Sequence, residues 1–135
     1  AEPWNTYRRI LREHAREDVD VQALIRDVEA RADSLAAGKR YGEAIDLFDH
    51  MKRVQSLVLT PELYAGLQSR ADRKMLTLQE MADAAFARDM REVDDKVRAG
   101  EKGAAIGKLR VMVELYGIDG MVGQAKARLT ELEGD

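Results

Sequence analysis

Cysteine is absent from the 135 residues, which excludes disulfides, thiolate metal sites and thiol nucleophiles together. A helical chain needs no covalent staples, so this absence does not fix the compartment. There are only two prolines and 5% aromatics, against 35% charged residues and abundant Ala, Leu, Arg, Glu and Asp, a composition that favours helices over sheets. Long apolar runs are missing too. Runs such as Leu57-Val58-Leu59 are far short of the ~18 residues that a membrane span requires. Nor is there an excess of positive charge: 22 Lys and Arg, spread throughout, face 25 Asp and Glu for a net charge of −3. No basic face is large enough to neutralise many phosphates, so neither nucleic-acid binding nor membrane insertion is expected.

Catalytic signatures are equally scarce. No serine elbow, glycine-rich phosphate loop, paired-histidine motif or calcium loop is present. Gly100-Glu-Lys-Gly103 lacks the preceding strand and the Lys-Ser/Thr ending of a phosphate cradle. The carboxylates are many, and none is set apart as an acid with a raised pKa. The two histidines, His14 and His50, each have an aspartate four residues away, Asp18 and Asp46. Imidazole and carboxylate together suit several transition metals, but on one hairpin the two pairs sit at different heights. Ordinary surface pairing is the expectation, with no catalytic residue, metal or cofactor.

What the sequence does contain is an internal echo. RDVEARADSLAAG from Arg26 returns 62 residues later as RDMREVDDKVRAG from Arg88, with Arg26/Arg88, Asp27/Asp89, Asp33/Asp95, Ala37/Ala99 and Gly38/Gly100 coinciding. Apolar residues three and four apart run Trp4, Tyr7, Leu11, Val21, Ile25, Val28, Ala32 and Leu35, the spacing of one helical face. This spacing predicts a single long helix over about 4–37, with a break at Glu17-Asp18-Val19-Asp20 as the alternative and Asp20 capping a second helix. Gly38 is placed to end it in a left-handed conformation, with Lys39 and Arg40 near the negative end of the dipole. Tyr41, Ala44, Ile45, Phe48 and Met51 mark a second helix to about Leu57. Thr60-Pro61-Glu62 starts a third over about 61–99, with a kink at Gly66 left open. Gly100 repeats the turn; Ile106, Leu109, Met112, Val113 and Tyr116 mark a fourth helix, and a closing helix follows over about 120–133.

The expected fold is therefore all-α, about five helices in antiparallel hairpins, two of them long. It reads as one domain of two quasi-repeats, about 4–58 and 60–116, plus the closing helix. At this length such a chain buries roughly two-thirds of its unfolded surface. Each hairpin alone leaves an apolar face uncovered, so the copies must stack on each other or on a partner.

The segment Ala32 to Met51, with Ala32, Gly38, Tyr41, Ala44-Ile45 and Phe48, resembles a tetratricopeptide-type repeat. Gly100 and Ala105-Ile106 keep part of this pattern in the second copy, and the tail from Lys108 to Leu132 is similar to closing helices of exported bacterial repeat proteins. The departures are a turn spacing of 62 rather than ~34 residues, and first helices about twice the usual length. The resemblance implies helical-hairpin packing and protein binding.

The start, Ala1-Glu2-Pro3, suits either a mature chain after signal-peptide removal or a trimmed fragment, and export is the weakly preferred expectation, with a cytoplasmic location as the alternative. The candidate partner-binding surface is the N-terminal stretch with Trp4, Tyr7, Arg8, Leu11 and Arg12, joined by Ile10, Arg9 and Arg16. It is either an apolar, arginine-bearing patch used for association or a solvated end of the bundle. The function expected is a non-catalytic protein-interaction or scaffold module. The alternatives are a self-associating helical bundle and a helical pocket for a small ligand or metal.

Overall fold

The computed structural model describes residues 3–14 and 21–134, with side chains from 5–10 and 21–134. These form six helices, α1 (Pro3–His14), α2 (Val21–Ala37), α3 (Tyr41–Gln55), α4 (Pro61–Arg98), α5 (Lys102–Leu115) and α6 (Asp119–Gly134). No strand occurs among the described residues, so the all-α expectation holds.

The first long helix is not one rod. On a straight helix His14 and Val21 would lie about 10 Å apart and diverge from there. Instead α1 packs against both α2 and α3, burying Tyr7 and Ile10. The Glu17–Asp20 stretch, including the proposed cap at Asp20, lies outside the described residues. The second long helix is as expected: Thr60 Oγ1 accepts from the Leu63 N–H at 3.4 Å, Pro61 opens the helix, and Glu62 meets the positive end of its dipole. Gly66, exposed and touching nothing, does not interrupt its 38 residues, about 57 Å at 1.5 Å per residue.

Both reversals close with the same pair of backbone bonds. Arg40 N–H donates to Leu35 C=O and Lys39 N–H to Ala36 C=O, at 2.9 Å each; Glu101 N–H donates to Lys96 C=O at 2.8 Å and Gly100 N–H to Val97 C=O at 3.1 Å. The left-handed residue of the second turn is Gly100, with φ 78°, as expected, but that of the first is Lys39, with φ 61°, and not Gly38. The equivalent positions are therefore 61 residues apart, one fewer than the sequence identities suggested. Burial agrees. Leu24, Ile25, Val28 and Ala32 are buried, and so are Ala85, Phe86, Asp89 and Val93, 61 residues on. The identity-based pairing sets exposed Asp27 against buried Asp89.

The two hairpins do not lie side by side. Glu29 and Asp33 of α2 pair with Arg70 and Lys74, and Lys52 of α3 with Asp72, so the first hairpin occupies the N-terminal half of α4. Lys108 of α5 pairs with Glu92, and Arg128 of α6 with Asp94, which places the second group along the C-terminal half. Helix α4 thus serves as the inner wall of both halves, and α3 and α5 follow one another along it. The last helix packs mainly on α5.

Candidate interaction surface at the junction of the halves

Where the halves meet, three side chains converge on Asp89. Its carboxylate, only 2% exposed, accepts from Lys39 Nζ at 2.9 and 3.1 Å and from the Tyr116 hydroxyl at 2.5 Å, with Lys108 Nζ 3.4 Å away. Burial alone would push this carboxyl up, but the hydrogen bonds from Tyr116 and Lys39 and the charges of Lys108 and Lys39 outweigh it and hold Asp89 below the usual carboxylate range. Burial and the adjacent carboxylate drive the Tyr116 hydroxyl far up, so it stays protonated. Lys108 in turn bonds Glu92 at 2.7 Å, which lowers that carboxyl. An acid–base catalyst is poised near the working pH, whereas Asp89 and Tyr116 are displaced away from it, in opposite directions. The chemistry of this cluster is cohesive: an ionised carboxylate fastening the turn of one hairpin to the end of the other.

The contact around it is close. The Tyr116 ring lies 5.6 Å from those of Tyr41 and Phe86, edge-on to the latter. The Gly42 N–H donates to the Tyr116 carbonyl at 2.8 Å, and a Cβ on Gly42 would stand 2.0 Å from the Gly117 carbonyl oxygen. Only glycine permits this approach. It carries the chain out of α5 through Gly117, with φ 67°, into α6.

Outside the junction this crossing leaves a step. In the lower half, that of α5, α6 and the C-terminal part of α4, α6 lies beside α5, and its first turn stops against the flank of α3 and α4. Two adjoining depressions of about 300 Å³ each open there, sharing Gln79 and Ile118. One is bounded by Gly42, Ile45 and Gly117, the other by Phe86, Ala87 and Met121. Every charged residue along them is acidic: Asp46 and Asp119 on the first, Asp83 on the second. Burial pushes the Asp46 carboxyl up; His50 and Arg53 oppose this, while Asp49 and Asp119 reinforce it. Two other depressions differ. That of about 420 Å³ between α2 and α4 has Arg70 bonded to Glu29 at 2.7 Å and Lys74 to Asp33 at 2.7 Å. That of about 380 Å³ near the second turn mixes Lys96 with Glu92, Asp95 and Glu101.

The residues singled out from sequence lie elsewhere. Tyr7 is fully buried, with its hydroxyl accepting from Gln55 Nε2 at 3.1 Å, and Ile10 is buried beside it. These two are core residues and not part of an exposed patch, because α1 folds back onto α3. Arg8 and Arg9 are exposed; the side chains of Trp4, Leu11 and Arg12, and the His14–Asp18 pair, lie outside the described residues. Among the described residues no group of three His, Asp or Glu could hold a metal ion, and no helix is long and apolar enough to cross a membrane.

Asp89 was the residue most open to discovery from sequence. It falls on the apolar stripe of α4 between Phe86 and Val93, where a carboxylate must find partners. Comparisons with protein-family models, with curated proteins and with solved structures yield no match.

Proposed function

We propose that this chain is a non-catalytic protein-interaction module, a rigid helical scaffold of divergent tetratricopeptide type that presents a binding surface to another protein. The observation that carries the proposal is the step between α3, α4 and α6. Apolar side chains set among acids, held by the ion pair of Lys39 with the buried Asp89 and by a glycine–glycine backbone contact, have the form of a preorganised docking site. The resemblance of Ala32–Met51 to a tetratricopeptide-type repeat points the same way. The test is retention of a protein from the chain's own cell extract by the immobilised chain and by an Ile118→Asp variant. A partner held by the first and lost from the second supports the proposal; equal recovery on both, or none on either, counts against it.

A second reading, self-association, is favoured by a separate observation. Leu57, Val58 and Leu63, at 87%, 64% and 51% exposure, form an apolar knuckle at the turn between α3 and α4. Sedimentation decides: association that strengthens with concentration and disappears in Leu57→Asp/Val58→Asp supports it, and a monomer at every concentration excludes it.

A further inference from the structure

We propose that the step between α3, α4 and α6 takes a short cationic amphipathic segment of a partner protein, its apolar side chains seated on either side of the ridge formed by Gln79 and Ile118. The inference rests on the interaction-module reading and names the kind of partner.

Charge is the first ground. Asp46, Asp83 and Asp119 rim the two depressions, no Lys or Arg lines either of them, and none of the three acids forms an ion pair with a Lys or Arg among the described residues. In the depression between α2 and α4, by contrast, Arg70 and Lys74 are bonded to Glu29 and Asp33, and that near the second turn carries Lys96 among its acids. The step thus has three acids and no Lys or Arg along its lining. Burial, with neighbouring Asp49 and Asp119, makes the charge of Asp46 costly, and His50 and Arg53 offset this only in part. A bound cation would relieve that cost and an anion would add to it. The positive end of the α6 dipole is offset by Asp119 in its first turn.

Shape is the second ground. Each depression, about 300 Å³ and open to solvent, has room for one large apolar side chain. Apolar side chains stand on both sides of the ridge, Ile45 and Ile118 on one and Phe86 and Met121 on the other, the second depression being the more apolar. The exposed Leu76, three residues before Gln79 on α4, extends the apolar track towards the upper half. Two apolar anchors flanked by Lys or Arg match these apolar residues and their acidic neighbours.

The experiment measures binding of labelled peptides to the full chain by fluorescence anisotropy. The peptides, about fifteen residues each, are a Lys/Leu amphipathic sequence, its Glu/Leu counterpart and a Lys/Ser sequence without anchors. The Lys/Leu peptide is expected to bind roughly tenfold more tightly than either of the others. Asp46→Lys/Asp83→Lys, both on exposed positions, should weaken it roughly tenfold or more, while Glu101→Lys/Glu114→Lys, an equal change of net charge on α5 and its turn, should stay within about twofold. Equal affinity of the Lys/Leu peptide for both double variants, or preference for the Glu/Leu peptide, overturns the inference. Loss of self-association in Asp46→Lys/Asp83→Lys would also overturn it, by making a second copy the occupant. Should no peptide bind while a partner is still captured by the natural chain and lost from Ile118→Asp, the interaction module stands and the cationic occupant falls. Failure of every capture removes both.

Discussion

The two hairpins share a frame and differ at a few positions, and those differences are what join them. Where the first hairpin has Val28 in its core the second has Asp89, and where the second has glycine at its turn, Gly100, the first has Lys39 in the same left-handed conformation. Lys39 of the one bonds Asp89 of the other. Likewise Gly42 meets the Gly117 backbone at van der Waals distance, whereas its equivalent Gly103 touches nothing. Duplicated hairpins need matching surfaces only where they meet. Here the departures from the common pattern collect at the junction, while Leu24/Ala85, Ile25/Phe86 and Ala32/Val93 preserve the core.

The largest break in this comparison is expected from the glycines. Gly42→Ala drives a Cβ into a backbone carbonyl and should cost on the order of 3 to 4 kcal/mol in urea unfolding, while Gly103→Ala, in open space on a helix, should stabilise by about 0.5 kcal/mol. Similar values for the two would show that the junction yields easily. Next comes the carboxylate. Asp89→Val, which makes the second hairpin resemble the first, strands the Tyr116 hydroxyl and should cost about 2 kcal/mol. Adding Tyr116→Phe should recover at least about 1 kcal/mol of that in a double-mutant cycle, and additive losses would dissociate the pair.

The pH dependence sharpens the same contrast. Because Asp89 is held below its unfolded value, its contribution is complete above that ordinary value and is lost as pH falls through it and then through the lower folded value. Thermal unfolding should therefore show a steeper loss of stability below about pH 4 in the natural chain than in Asp89→Asn, and parallel curves would remove Asp89 as the cause. The turns give the smallest effect. Gly100→Ala forces alanine to φ 78° and should cost about 1 kcal/mol, whereas Lys39→Gly relieves a strained φ but removes a cation from Asp89, leaving a net change within about 1 kcal/mol. Lys39→Met, which keeps the strain and loses only the charge, separates the two contributions.

Much of the fold was legible because its signals are local. Thr60-Pro61-Glu62 marks a helix start by capping chemistry alone, Gly100 marks a stop by its conformation, and the stripe from Leu67 through Val93 needs only the helical period. The register of the duplication was not legible, because charged identities such as Asp27/Asp89 outweighed the fainter apolar correspondences Ile25/Phe86 and Ala32/Val93, and only burial distinguishes them. The fold-back of α1 escaped for a related reason. Tyr7 and Ile10 continue the periodicity of the next helix, and periodicity says nothing of whether two segments share an axis. The groove is a tertiary object: Ile45, Gln79 and Ile118 stand far apart in the chain, and nothing local to any of them announces the others. The N-terminal residues drew attention as aromatic and arginine-rich, yet two of the apolar ones, Tyr7 and Ile10, proved to be core.

Helix α4 has a further consequence for anyone who would divide the protein. A backbone nick near residues 79–86 would leave each fragment with half of a wall and a stripe of bare Leu, Ala and Phe, so neither piece should stay dispersed by itself. Openings at 56–60 or 99–101 spare all the helices. Split reporters, permuted termini and inserted tags belong at those two bends, and a protease that nibbles the native molecule should find them long before it finds the middle of the spine.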